Sequence, residues 1–177
     1  MNAPLTSEQA AAIFRNLGTM TKAEKLEYLQ MLNGKEEHIQ KNRAKTDMIE
    51  FAKSVYPGFK VGPHHKKLAK IFADVIDGKK KRVIINIAPR MGKSEFSSYL
   101  FPAFFLGNFP NKKIIMGTHT AGLSEDFGRR VRNLIDSDDY KELFPSTTIA
   151  DDQKAAGKWS TGSGGQYYAA GVGGALA

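Results

Sequence analysis

Gly92, Lys93 and Ser94 stand in succession, with Ala88, Pro89, Arg90 and Met91 before them and Glu95 after. These residue types together can hold a phosphate. The glycine lets backbone N–H groups curl around an anion. The lysine brings a point charge to β and γ phosphates, and the serine hydroxyl can ligate Mg²⁺. A helix starting at this point adds its positive end. Gly-Lys-Ser alone is common, and a solvated turn is its ordinary meaning, so the context decides. Residues 83–87 read Val, Ile, Ile, Asn, Ile, a run expected to form a buried parallel strand. Residues 95–106 are apolar and aromatic, with Pro102 as the first breaker. Strand, loop and helix are therefore expected in the order that a P-loop needs. One position departs from the usual G-x-x-x-x-G-K-[ST]. Ile87 occupies the first glycine position, which leaves the first turn less φ freedom.

The 177 residues suffice for a domain with a real core, and 41% are hydrophobic. Lysine and arginine total 26 against 18 acidic residues, a formal charge of +8. That charge suits a polyanionic partner such as nucleic acid, although many basic proteins bind none. With no cysteine, disulfides and Cys-ligated zinc are excluded, and a reducing compartment fits. No apolar run approaches the length of a membrane helix. Met1, Asn2, Ala3, Pro4 and Leu5 lack a signal-peptide pattern, so the expected location is cytosolic.

The elements that must position the loop follow from spacing. Residues 1–54 are expected to be helical. Thr21 and Glu24 form a capping box ahead of Leu26, Leu29 and Leu32, with Asn33-Gly34 as a stop and a second, polar helix over 35–55. That helix is either a solvated face or a partner-binding arm. Pro63 opens a helix carrying Leu68, Ile71, Phe72 and Val75, ended by Asp77-Gly78. Lys79, Lys80, Lys81 and Arg82 precede the expected strand. Nucleotides bind beyond the carboxyl end of such a strand, roughly 15–20 Å away at about 3.3 Å per residue. The basic run is thus a solvated strand start, with contact to a DNA backbone as the lesser alternative. A second strand is expected over 114–118, then a helix with Leu123, Phe127, Val131, Leu134 and Ile135 on one face and Arg129, Arg130 and Arg132 on others. A short helical turn is expected over 140–143. Residues 159–161 and 166–170 read as two strands joined by Gly162, Ser163, Gly164 and Gly165. This βαβα order predicts an α/β protein with a parallel sheet and right-handed crossovers.

A P-loop ATPase also needs an apolar strand ending in carboxylates, to hold Mg²⁺ and poise water. The nearest match is Ile149, Ala150, Asp151 and Asp152. Only two apolar residues precede the acids and Pro145 lies upstream, so a loop is expected there. Asp138-Asp139 follows an expected helix end and serves no better.

Ile85, Asn86, Ile87, Ala88, Pro89, Arg90, Met91, Gly92, Lys93, Ser94 and Glu95 resemble the variant Walker A of phage terminase large subunits, where an arginine inside the loop and a glutamate after Gly-Lys-Ser are common. Residues 62–68 resemble that family's adenine-contact region. Residues 118–132 resemble its strand-to-helix segment, and 159–176 the glycine-bearing hairpin before its Walker B strand. The resemblance spans about residues 56–177. It implies an incomplete additional-strand (RecA-like) P-loop NTPase core behind a helical N-terminal segment, 1–55. It implies ATP and Mg²⁺ as cofactors in a viral motor that drives double-stranded DNA into a procapsid in the host cytoplasm. It also implies a portal protein and a small terminase subunit as partners, and a homo-oligomeric ring. The chain stops where Walker B, the coupling motif and the nuclease follow in the family. A fragment or a split product is therefore expected, with weak hydrolysis on its own.

The resemblance carries roles to individual residues. Lys93 would bind the β and γ phosphates and Ser94 the Mg²⁺, with the backbone of 90–94 cradling the phosphates and Ala88 and Pro89 completing the nucleotide-binding set. Arg90 would act as an arginine finger in cis, or else merely shape the loop. His65 stands at the adenine-reading position, with a helix cap or a surface histidine as the alternative. Arg129, with Arg130 and Arg132, would offer a finger to a neighbouring subunit, or form a solvated face. Glu95 is expected to serve structure. The alternatives are a helicase-like nucleic-acid ATPase and a non-catalytic module that docks packaging partners.

Overall fold

The computed structural model describes residues 20–172, with the backbone alone for 151–154. The first residues read for a signal pattern, and 173–176 of the glycine-rich segment, lie outside the described residues. By packing, the chain divides into residues 1–40 and 41–177.

Helix α1 runs Lys22–Thr46. Its start is the capping box expected from sequence. The Thr21 N–H donates to the Glu24 carboxylate at 2.7 Å, and the Glu24 N–H to the Thr21 hydroxyl at 3.3 Å. The expected stop at Asn33-Gly34 does not occur, and the helix continues through both residues. A mid-helix glycine costs only about 1 kcal/mol, which the neighbouring helix formers absorb. The break comes instead at Asp47. Its carboxylate accepts the Ile49 and Glu50 N–H groups at 2.7 and 3.0 Å and starts α2, Met48–Val55. Met48, Phe51, Ala52 and Val55 bury one helical face. Phe51 meets the rings of Phe104, Tyr140 and Phe144 at 5.3–6.0 Å. Residues 48–55, assigned to the N-terminal segment in the sequence, thus belong to the core of the second unit.

Helix α3, Pro63–Ile76, begins and ends as its proline and Asp77-Gly78 predict, with Gly78 left-handed at φ 73°. Phe72 stacks on Phe101 at 4.1 Å. Next comes the largest departure from expectation. Residues 82–88 form no strand and pair with none among the described residues. The alternation of a strand is present. Ile85 and Ile87 pack against the core, while Ile84 is 96% exposed. The apolar pattern therefore sets the inward face, and no neighbouring strand supplies the ladder.

Helical backbone begins at Lys93 and widens to a π-helix over Glu95–Leu100 before α4, Phe101–Asn108. Proline has no N–H to give an α-helical bond, and its ring crowds the carbonyl four residues back. Pro102 thus accounts for the wider turn, in which the Phe101 N–H reaches the Phe96 carbonyl.

Strand β1 spans Lys113–Thr118, followed by α5, Ala121–Ile135, and the short α6, Asp138–Leu143. Strands β2 (Ile149–Lys154), β3 (Lys158–Thr161) and β4 (Gln166–Gly171) complete a sheet of order β1-β4-β3-β2. Only β1 and β4 are parallel, with Ile114 opposite Tyr167, so the molecule is α/β but its sheet is mixed. The expected loop at 149–152 is strand β2. Its pairing with β3 overrides a polar local sequence. The helix α5 face also differs. Ser124, Gly128, Val131, Leu134 and Ile135 are buried, while Leu123 is exposed. Small residues let the helix approach the sheet. A Cβ at Gly128 would stand 2.4 Å from the Ala156 carbonyl oxygen. Behind that contact, Trp159 stacks on Tyr167 at 4.9 Å and 4°.

Candidate phosphate-binding site

The loop follows the unpaired segment 82–88, where the sequence predicts a strand, and runs into the helical turn that begins at Lys93. Arg90 has φ 65° and Gly92 φ 72°, while Met91 between them is not left-handed. Left-handed residues in such a turn can direct successive N–H groups to one side and form an anion-binding concavity, a nest. For Arg90 the left-handed state costs about 1 kcal/mol, so this backbone is held there by its surroundings. The first N–H groups of the helix that starts at Lys93 have no intrahelical acceptor and add to the nest.

Lys93 and Ser94 are exposed, and neither makes an ion pair or side-chain hydrogen bond among the described residues. Arg90 is likewise exposed and without an ion pair among the described residues. Ile87, Ala88, Pro89, Arg90, Gly92, Lys93, Ser94 and Glu95 line one cavity of about 520 Å³. These residues suit a polyphosphate and its Mg²⁺. The lysine charge and the serine hydroxyl are uncommitted, and a left-handed glycine opens the backbone.

Among the described residues Glu95 is the only carboxylate lining that cavity. It is engaged by Arg130 of α5 at 2.5 Å, and the guanidinium also lies 4.3 Å from the Tyr99 ring centre. The carboxylate raises the Arg130 pKa above its ordinary value. Burial beside this pair raises that of the Tyr99 phenol. Glu95 thus ties the loop's helix to α5. Arg129, singled out in the sequence, instead pairs with Asp126 one turn away at 3.2 Å. It lines a separate surface groove with Leu123, Asp126, Phe127 and Arg130.

His65 is only 6% exposed and caps α3, its Nδ1 accepting the Gly62 N–H at 3.0 Å. The neutral ring therefore carries its proton on Nε2, which has no partner among the described residues. That nitrogen faces Gly92, where an added Cβ would lie 3.1 Å away. Phe59 and Phe96 flank the ring at 4.9 and 5.2 Å. His64, not singled out in the sequence, places Nε2 3.0 Å from the Met91 carbonyl oxygen. Both histidines line a second cavity of about 340 Å³, which shares Arg90, Gly92 and Glu95 with the first.

Burial, then the charge of neighbouring His64, lowers the His65 pKa below its ordinary 6.5. The unfolded chain therefore binds this proton at a higher pH than the folded one. The stability that neutral His65 contributes is intact above pH 6.5 and is lost as pH falls through the lowered value. His65→Asn keeps an acceptor for Gly62 but has nothing to titrate. Between about pH 6.5 and 5, the melting midpoint of the wild type should fall further than that of the variant. Parallel curves would contradict the burial argument.

Among the described residues, no helix is long and apolar enough to cross a membrane, and no group of three metal-ligating side chains converges. In comparisons with protein families, curated proteins and solved structures, nothing matches the chain.

Proposed function

We propose that this chain is the ATP-binding part of a motor ATPase of the phage terminase large-subunit type, with a P-loop NTPase core. The whole protein would couple ATP hydrolysis to the movement of double-stranded DNA into a procapsid. The observation that carries the nucleotide reading is the turn at 90–92. It has positive φ at Arg90 and Gly92, immediately before an uncommitted Lys93 and Ser94. The packaging role rests on the sequence resemblance.

In this reading, the N–H groups of 90–94 and the Lys93 ammonium hold the β and γ phosphates. Ser94 holds Mg²⁺, which when bound neutralises charge between the phosphate oxygens. Arg90 lines the same cavity and faces charge developing on the γ phosphate. Arg129, exposed on α5, would serve a neighbouring subunit of a ring. The portal protein and the small terminase subunit remain the partners of the whole assembly in this reading.

Hydrolysis should be slow in the isolated chain. Among the described residues the one carboxylate lining the cavity, Glu95, is already engaged by Arg130, which leaves no free carboxylate there to act as a general base. Equilibrium titration with Mg-ATP, followed by a phosphate-release assay on the same sample, tests both statements. Saturable binding with turnover well below about 1 s⁻¹ is expected. Absence of binding at millimolar ATP would remove the nucleotide reading, and fast turnover would show that the acid–base group is already in place.

A further inference from the structure

The Met91–Gly92 peptide is the part of the nest most able to turn over. A peptide plane carries its C=O and N–H in opposite directions. Rotating this plane would swing the Met91 carbonyl oxygen, a partial negative charge, into the place where the phosphates sit. Glycine at position 92 removes the steric barrier that a side chain would raise against that rotation. No backbone-to-backbone hydrogen bond made by Met91 secures the plane among the described residues.

One contact from outside the loop does secure it. A carbonyl can only accept, so the His64 Nε2 donates its proton to the Met91 oxygen across 3.0 Å. Beneath the same peptide, the buried His65 ring lies against Gly92 and occupies the space behind it. The two imidazoles are consecutive in the first turn of α3, with ring centres 3.9 Å apart, and they meet consecutive loop residues.

We propose that His64 is a positioning residue for the phosphate loop. By holding the Met91 carbonyl on the α3 side, it keeps the Gly92 N–H directed to the opposite, phosphate-binding side, with His65 as the backstop. This inference rests on the nucleotide-binding reading for its consequence, but the orientation of the peptide can be measured without nucleotide.

The experiment uses the whole chain as wild type, His64→Gln, His64→Leu and Lys93→Ala. Glutamine offers an N–H of similar reach, and leucine offers none. Three quantities are compared: Mg-ATP affinity, the urea midpoint without nucleotide, and the ¹H–¹⁵N shift and exchange rate of the Gly92 amide in the free protein. His64→Leu should weaken ATP binding about three- to tenfold, the range of one hydrogen bond. It should shift the Gly92 amide and leave the urea midpoint close to wild type. His64→Gln should restore both affinity and the amide position. A Gly92 amide unchanged in His64→Leu would overturn the proposal, whatever the nucleotide data say. Leucine and glutamine variants that bind equally weakly would overturn it too, because the donor would then not matter. If wild type and Lys93→Ala show the same affinity, the nucleotide reading fails by itself, and the amide data still decide the peptide's orientation.

Discussion

Lys93→Ala should abolish measurable ATP binding while leaving the fold untouched. The side chain is exposed and makes no ion pair among the described residues, so its truncation removes no internal contact. Surface changes of that kind usually stay within about 0.5 kcal/mol of stability. The effect on a bound polyphosphate is different in scale. Lys93 lines the cavity, and among the described residues no other lysine does. Losing a charge-assisted contact to two phosphates should cost at least about 2.7 kcal/mol, a hundredfold in affinity. Calorimetric titration of both proteins at one salt concentration, with a urea melt of each, separates the two effects. Equal affinities would mean that this lysine does not face the nucleotide. A large fall in the urea midpoint would mean that it holds the fold instead.

The largest loss of stability should come from Trp159→Ala. The indole is fully buried, stacks on Tyr167 and donates its N–H to the Gly128 carbonyl at 3.0 Å. Through that bond a strand of the sheet is fixed to the middle of α5. Truncating a buried tryptophan costs about 3–5 kcal/mol, against a total of about 5–15 for a domain. The Gly128 carbonyl would also lose its second donor and keep only the intrahelical one. Helix α5 cannot slide in to fill the space, because its backbone already meets the Ala156 carbonyl. Trp159→Phe separates the terms, keeping most of the ring and losing the N–H, and should cost less than half as much. Urea denaturation followed by far-ultraviolet circular dichroism measures both. A loss below about 1 kcal/mol for the alanine variant would show that the packing around the indole is not what joins helix and sheet.

Much of this architecture is legible in short sequence signals. The Thr21–Glu24 box, Pro63 with Asp77-Gly78, and the glycine turn between β3 and β4 each act within a few residues, and the chain obeys them. The misreadings have one cause, which is that partners distant in sequence decide. Residues 149–154 are polar, yet β3 makes them a strand. Residues 83–87 have a strand's composition, but composition cannot supply a neighbour. On α5, hydrophobicity favours Leu123 and Phe127, whereas close approach to the sheet favours Ser124 and Gly128. The site divides in the same way. Gly92, Lys93 and Ser94 announce themselves by spacing. Nothing in spacing joins His64 to Met91, 27 residues on, or Glu95 to Arg130, 35 residues on.

The unpaired segment before the loop has a mechanical meaning. A strand inside a sheet resists sliding because its ladder bonds share the load and must break together. Residues 82–88 have no ladder among the described residues, and only side chains such as Ile85 and Ile87 grip the core beneath. Load along this segment therefore falls on apolar side-chain contacts instead of ladder hydrogen bonds. The tether leading into the loop is compliant along its length. The loop itself is braced at Met91 and at Glu95 by bonds from α3 and α5. A displacement of either helix is therefore felt directly at the loop.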